Sequence, residues 1–142
     1  MTYEAMEAGL ATQIRALSAF SDDQVSLGDW RALGYGHAQV VILEYNAFTG
    51  TRHSSDIDTL FTWTVRVHLC VRYTDDAGAV NALRDRRDEI ITKILQTPKL
   101  GTTALYSMPV RGSIADPEEV EIGGVVFLHE YIDVEIEELV NA

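Results

Sequence analysis

Residues Leu60 to Tyr73 read LFTWTVRVHLCVRY, and this stretch decides how the chain folds. The odd positions are Phe61, Trp63, Val65, Val67, Leu69, Val71 and Tyr73, and the even positions from Thr62 are Thr62, Thr64, Arg66, His68, Cys70 and Arg72. Alternation with β-branched and aromatic residues predicts a long half-buried strand, apolar on one face and polar on the other. Fourteen residues at strand rise span roughly 46 Å, whereas a chain of this length packs into a sphere about 37 Å across. Such a strand must coil strongly or project beyond the body. Projecting strands carry unpaired backbone groups that invite another chain. Alternatively, Leu60 to Thr62 belong to a loop and the strand is shorter.

On the N-terminal side, Ala38 to Tyr45 is a short, nearly continuous apolar run, the pattern of a strand covered on both faces. Between the two strands, Asn46 to Thr59 (NAFTGTRHSSDIDT) is polar and aperiodic. It exceeds the usual hairpin length of about 2–5 residues, so it predicts a loop that either binds something or is disordered. Further back, Thr2 to Ala19 predicts a helix with Met6, Leu10, Ile14 and Leu17 on one stripe and Glu4 and Glu7 in the early turns. Gly28, Gly34 and Gly36 punctuate the segment between.

On the C-terminal side, Asp75 or Asp76 caps a helix reaching to about Gln96. Val80, Leu83, Ile90, Ile91, Ile94 and Leu95 form its expected buried stripe, with Arg84–Asp88 and Glu89–Lys93 as surface pairs. Pro98 stops it and Gly101 lets the chain reverse. Thr103 to Val110 predicts a short strand, and Pro109, which cannot donate to a ladder, suggests an edge or a strand end. Arg111 to Ile122 predicts a turn-rich acidic connection. The closing strand follows Gly123 and Gly124, with Val126, Leu128, Ile132, Val134 and Ile136 on one face and Glu130 as the exception there. Phe127, His129, Tyr131, Asp133 and Glu135 share the other. If this strand lies beside Leu60–Tyr73, Arg66 and Arg72 share a sheet face with Asp133 and Glu135. The expected fold is α+β, a single domain over residues 1–142, with a mixed or antiparallel sheet of long strands and two helices packed on one face.

Charge and composition limit the function. With 22 acidic and 11 basic residues the net charge is −11, which opposes a grip on phosphates, since nucleic-acid affinity comes mainly from Lys and Arg. It is compatible with a wall past which DNA slides, and with simple solubility. The one cysteine, Cys70, makes neither an intramolecular disulfide nor a thiolate cluster within one chain. No apolar run approaches the roughly 20 residues of a membrane helix, and the acidic, amphipathic start is unlike a cleavable signal peptide. An intracellular protein, or one assembled inside a cell, is expected.

Chemistry-bearing motifs are weak. His129-Glu130-Tyr131-Ile132-Asp133 resembles a degenerate zinc motif, but in a strand His129 and Asp133 stand roughly 13 Å apart, too far to share one ion. Gly34-Tyr35-Gly36 precedes a strand rather than a helix and predicts a turn. His53, Ser54, Ser55 and Asp56 hold triad side-chain types without triad spacing. Asp56 with Asp58, and Glu118 and Glu119 with Glu121, suit solvated acidic loops better than a hard-cation site. His37 and His68 lack a partner at ligand spacing, Trp30 and Trp63 suit a core better than an interface, and Cys70 is expected to be inert. No catalytic residue, cofactor or metal is assigned.

Three stretches carry a resemblance to a known family: MTYEAMEAGLATQIRAL, WTVRVHLCVRYTDDAGAVNALRDRRDEIITKIL and GGVVFLHEYIDVEIEEL, together about half of the chain. With the order helix, strand, long loop, long alternating strand, helix, short strand, acidic loop and closing strand, the chain resembles the tail terminator (tail completion) proteins of long-tailed phages. The resemblance implies a structural virion protein rather than an enzyme. Such proteins form a ring homo-oligomer, usually a hexamer, that caps the tail tube at its head-proximal end and stops its growth. The ring then meets a head–tail connector protein, and DNA passes through without specific binding. Assembly would occur in the host cytoplasm, with no membrane partner. Carried onto these residues, the resemblance implies that the Asn46–Thr59 loop, with Phe48, Arg52, His53, Asp56 and Asp58, contacts the tube or a neighbouring subunit. The polar face of the long strands, with Arg66 and Arg72, would look toward the lumen or an adjoining protomer. Glu118, Glu119 and Glu121 would form rims that repel DNA.

Three alternatives remain at this level. A tail-tube subunit or head–tail stopper is the nearest. A small α+β ligand-binding module or enzyme would need a pocket with converging polar groups. An adaptor of cellular origin would bind a peptide along an open sheet edge.

Overall fold

The alternating stretch around Trp63 forms the strand β3 (Asp58–Arg72) of the computed structural model, so the longer of the two boundaries holds. Its odd side chains Val65, Val67 and Leu69 are completely buried. The structure describes residues 2–18, 20, 24–28, 39–52, 58–73, 76–100, 106–112, 118–122 and 124–141. Around β3 stand α1 (Thr2–Arg15), β1 (Val25–Leu27), β2 (Gln39–Arg52), α2 (Asp76–Gln96), β4 (Tyr106–Gly112), β5 (Glu118–Ile122) and β6 (Val125–Asn141). Among the described residues the strands make one sheet in the order β1-β2-β3-β6-β4, with β5 pairing β6. The β1–β2 pair is parallel and the others are antiparallel. Since β3 takes one side of β6, β4 and β5 lie end to end along its other side, β4 opposite Ile132–Glu137 and β5 opposite Val125–His129.

The core follows from the period-two pattern. Odd residues of β3 and Leu128, Ile132, Val134 and Ile136 of β6 pack with Val41 and Leu43 beneath Met6, Leu10 and Ile14 of α1 and Leu83, Ile90 and Ile94 of α2. Both helices therefore cover one face, and the fold is α+β as expected. On the opposite face Val40, Ile42, Cys70 and Phe127 form a smaller apolar cluster, with Val120 and Val125 against it. That explains the continuous apolar run of β2: its neighbouring residues feed two cores.

Several boundaries are corrected. α1 ends at Arg15 rather than Ala19, because the chain tightens into i→i−3 bonds from Leu17 to Ile14 and from Phe20 to Leu17. Arg15 Nη2 there donates to the carbonyl of Val25 at 2.8 Å, tying the helix end to β1. In α2, Leu95 points outward at 59% exposure. The surface pairs are Arg86–Glu89 and Arg87–Asp88, not Arg84–Asp88 and Glu89–Lys93. The reversal after α2 uses Leu100, whose φ of 54° is left-handed while its side chain is buried in the core. Gly101 lies outside the described residues, as do Trp30, Gly34, Tyr35, Gly36, His37, Ser54 and Ser55.

The two largest corrections concern loops. Most of Asn46–Thr59 is not a loop: β2 runs through Arg52 and pairs with β3 from Gln39↔Val71 to Arg52↔Thr59. Thr49, Thr51 and Thr59 suit strands, and backbone pairing, not side-chain apolarity, sets this part of the ladder. A bulge between Tyr45 and Ala47 shifts the register, which turns Phe48 onto the helix side opposite Trp63. Likewise Glu118–Ile122, expected inside a connection, is the strand β5. Its edge position tolerates the three glutamates.

Candidate assembly interface and the polar face of the sheet

Three strands are longer than either helix. β2, β3 and β6 contain 14, 15 and 17 residues, so β6 spans roughly 56 Å. The 21 residues of α2 cover only about 31 Å. Among the described side chains the fully buried apolar ones stop at Val65 on β3 and Ile136 on β6, with Glu138 buried beyond them, yet the strands continue to Asp58 and Asn141, an overhang past that core. The overhang carries an aromatic cluster on the helix side. Phe61 and Trp63 stack at 5.3 Å between centroids, and Phe48 lies 5.4 Å from Trp63 and 6.2 Å from Phe61. Gly50 faces Phe61, and a Cβ there would come within 3.0 Å of the ring. Phe48 is 52% exposed, an aromatic side chain held in place yet half in water. β1 covers β2 only at Val41–Leu43. Among the described residues no strand pairs with the outer edge of β2 beyond that point.

The other face carries a row of alternating charge. Glu44 on β2 stands opposite Arg66 on β3, and Arg66 and Arg111 on β4 both stand opposite Asp133 on β6. Arg66 grips Asp133 through Nε at 2.8 Å and Nη2 at 3.1 Å, while its guanidinium lies 4.0 Å over the Tyr131 ring. Arg111 adds bonds of 3.3 and 3.2 Å to Oδ2. Burial alone would raise the Asp133 carboxyl, but the bonds from Arg66 and Arg111 outweigh it and hold its pKa below the ordinary carboxylate value.

Beside this row two imidazoles meet. His68 Nδ1 is 2.8 Å from His129 Nε2, and His68 Nε2 is 2.9 Å from Glu44 Oε2. His129 Nδ1 faces Glu118 Oε1 at 3.8 Å. Burial lowers the pKa of His68 against the pull of Glu44, and burial followed by the charge of His68 lowers that of His129. Cys70, next on this face, is buried and its thiol is pushed up to about 12, so the nucleophilic thiolate is suppressed. On the helix side, burial raises the pKa of Glu130, whose Oε2 lies 3.6 Å from Arg87 Nη1.

The residues singled out from sequence divide between these places. Phe48 sits in the aromatic cluster. Arg52 and Asp58 occupy the ends of β2 and β3 by backbone, and His53 and Asp56 lie outside the described residues. Arg66 shares the polar face with Asp133 as anticipated, but it is spent on that carboxylate. Arg72 is exposed at the far end of β3 opposite Phe127, away from Asp133. Glu118, Glu119 and Glu121 are exposed on β5, and Glu118 alone turns toward His129. Sequence reasoning missed the His68–His129 contact, although a register placing Arg66 opposite Asp133 also places Cys70 opposite His129 and His68 diagonal to it.

Among the described residues no group of three or more His, Cys, Asp or Glu is arranged to hold a metal ion, and no helix is long and apolar enough to cross a membrane. One cavity of about 310 Å³ lies on α2 beside Leu17, and another of about 250 Å³ lies between α2 and β4, lined by Arg87, Ile91, Pro109, Val110, Arg111, Gly112 and Ile132. The first is at the lower limit of the ligand-pocket range of about 300–1,000 Å³ and the second falls below it. Neither is lined by the histidine pair. In comparisons of the sequence, no protein-family model and no curated protein matches this chain.

Proposed function

We propose that this protein is a structural ring subunit of a phage tail, a terminator that closes the tail tube and offers the surface on which the head docks. The observation that supports this reading best is the overhang, three long strands continuing past their buried apolar core with Phe48 half exposed there. Ordered aromatic surface and unpaired strand edge are both features of interfaces completed by other chains. In the ring the overhang contacts the tube or the adjacent subunit, and the helices keep to the side away from the charged sheet face. The acidic surplus of the chain keeps DNA moving through the lumen rather than bound to it. The partners are other copies of the chain, a tail-tube protein and a head–tail connector protein, and the site of action is the head-proximal end of the tail.

Electron microscopy of the purified protein, alone and mixed with tail tubes, tests the reading. Closed annuli of one size, or annuli seated on one end of tubes whose lengthening stops, are expected. Long cylinders built from the protein alone would instead assign it as a tube subunit. Globular monomers that ignore tubes would remove the terminator reading.

A further inference from the structure

A 2.8 Å contact between two ring nitrogens holds one hydrogen: one imidazole donates and the other accepts. Glu44, as a carboxylate, only accepts, so the 2.9 Å contact to His68 Nε2 fixes a hydrogen there. Two closed arrangements follow. With both rings neutral, His129 Nε2–H donates to His68 Nδ1. With one added proton the pair carries a single charge, one imidazolium donating to the lone pair of the other ring, and the carboxylates of Glu44 and Glu118 stand at the two ends of the chain. A second added proton has no place. It would set N–H against N–H, with two like charges in rings stacked 5.0 Å apart at 24°.

We propose that His68 and His129 form an acid-released clasp: it joins β3 to β6 on the charged sheet face while it holds at most one extra proton, and a second proton parts the rings and frees β5 from the sheet. The groups facing the pair, among the described residues, are Glu44 from β2, Arg66 and Cys70 from β3, Tyr131 and Asp133 from β6, and Glu118 from β5. Glu44 and Glu118 favour the first proton. Arg66 opposes it, but its charge is largely matched by Asp133, and the Cys70 thiol stays neutral. β5 is the element at risk because it is short, edge-placed and paired along the segment of β6 that contains His129, so that displacing this ring outweighs the pull of its charge on Glu118.

Burial supports the same direction of change. Both rings bind protons less readily in the folded chain than an exposed histidine does, so the unfolded chain carries more protons below the ordinary value of about 6.5. The pair's contribution to stability is therefore complete above about pH 6.5 and declines as pH falls through the lower folded values. This behaviour is independent of whether the protein assembles into rings.

The test follows the imidazole carbon-bound proton resonances and backbone amide exchange of the intact chain as pH is lowered. His→Gln variants at 68 and 129 assign the signals among the four histidines. Two separated steps are expected for His68 and His129 in the wild-type protein. The second should fall below the ordinary histidine value and coincide with loss of amide protection in Glu118–Ile122. In H129Q, His68 should titrate in a single step, and protection of Glu118–Ile122 should no longer follow histidine titration. Independent titration of both wild-type rings near the ordinary value overturns the clasp. So does a second step that leaves β5 protection unchanged.

Discussion

At the residue scale, Asp133 is the side chain on which the charged face depends. It is fully buried and takes bonds from two arginines, whereas Arg111 keeps 67% of its side chain in water. Removing the carboxylate leaves Arg66, whose side chain is 30% exposed, without its two-pronged partner, so Asp133→Ala should lose about 1.5–3 kcal/mol in urea unfolding. Arg111→Ala, removing the exposed partner, should lose no more than about 1 kcal/mol. Equal losses for the two variants would mean that the row is not organised around Asp133. A second residue-scale test concerns close approach. A Cβ at Gly112 would stand 2.8 Å from the backbone oxygen of Tyr131, a contact that cannot be relieved by side-chain rotation. Gly112→Ala should therefore destabilise by about 1–3 kcal/mol, with the loss of amide protection centred on the β4–β6 pairing.

At the scale of elements, the sequence was most legible where burial is one-sided. The alternation of β3 and β6 located both strands and assigned their faces, because a period of two leaves no freedom about which side chains enter the core. Met6, Leu10 and Ile14, spaced four residues apart on the helical period, identified the buried face of α1 likewise. Legibility failed where pairing partners rather than side chains decide the structure. Residues 46–52 look like a polar loop and form strand because β3 offers its backbone, and a bulge at Tyr45/Ala47 that no composition announces then reorients Phe48. Glu118, Val120 and Ile122 do alternate with Glu119 and Glu121, a signal hidden by charge. The histidine pair was invisible because it is a diagonal contact between residues 61 positions apart, legible only once a register is known. The helix stripe gives a direct check. Ile94→Ala should cost about 2–5 kcal/mol, whereas Leu95→Ala, one residue on and 59% exposed, should stay within about 0.5 kcal/mol. Similar losses at both sites in thermal or urea unfolding would contradict the orientation of α2.

On the scale of the whole molecule, β2, β3 and β6 run on past the last fully buried apolar side chains described, and Phe48 lies half exposed on that stretch. Helix packing consumes one face of the sheet and the charged lattice orders the other, and of the open features, which include the outer edge of β4, the overhang and the outer edge of β2 are those the proposed function assigns to another copy. Phe48→Asp removes an aromatic contact worth about 0.5–1.5 kcal/mol, a loss the fold should survive. It should nonetheless abolish association, because the substituted carboxylate would have to be desolvated at the contact. Sedimentation velocity of the wild-type chain and Phe48→Asp across a wide range of concentration separates closed rings from independent subunits. A closed wild-type species is expected, a fixed multiple of 15.8 kDa that grows no further as concentration rises, with a folded monomer for Phe48→Asp. A wild-type monomer at every concentration, or association that Phe48→Asp leaves intact, would contradict assembly through the overhang.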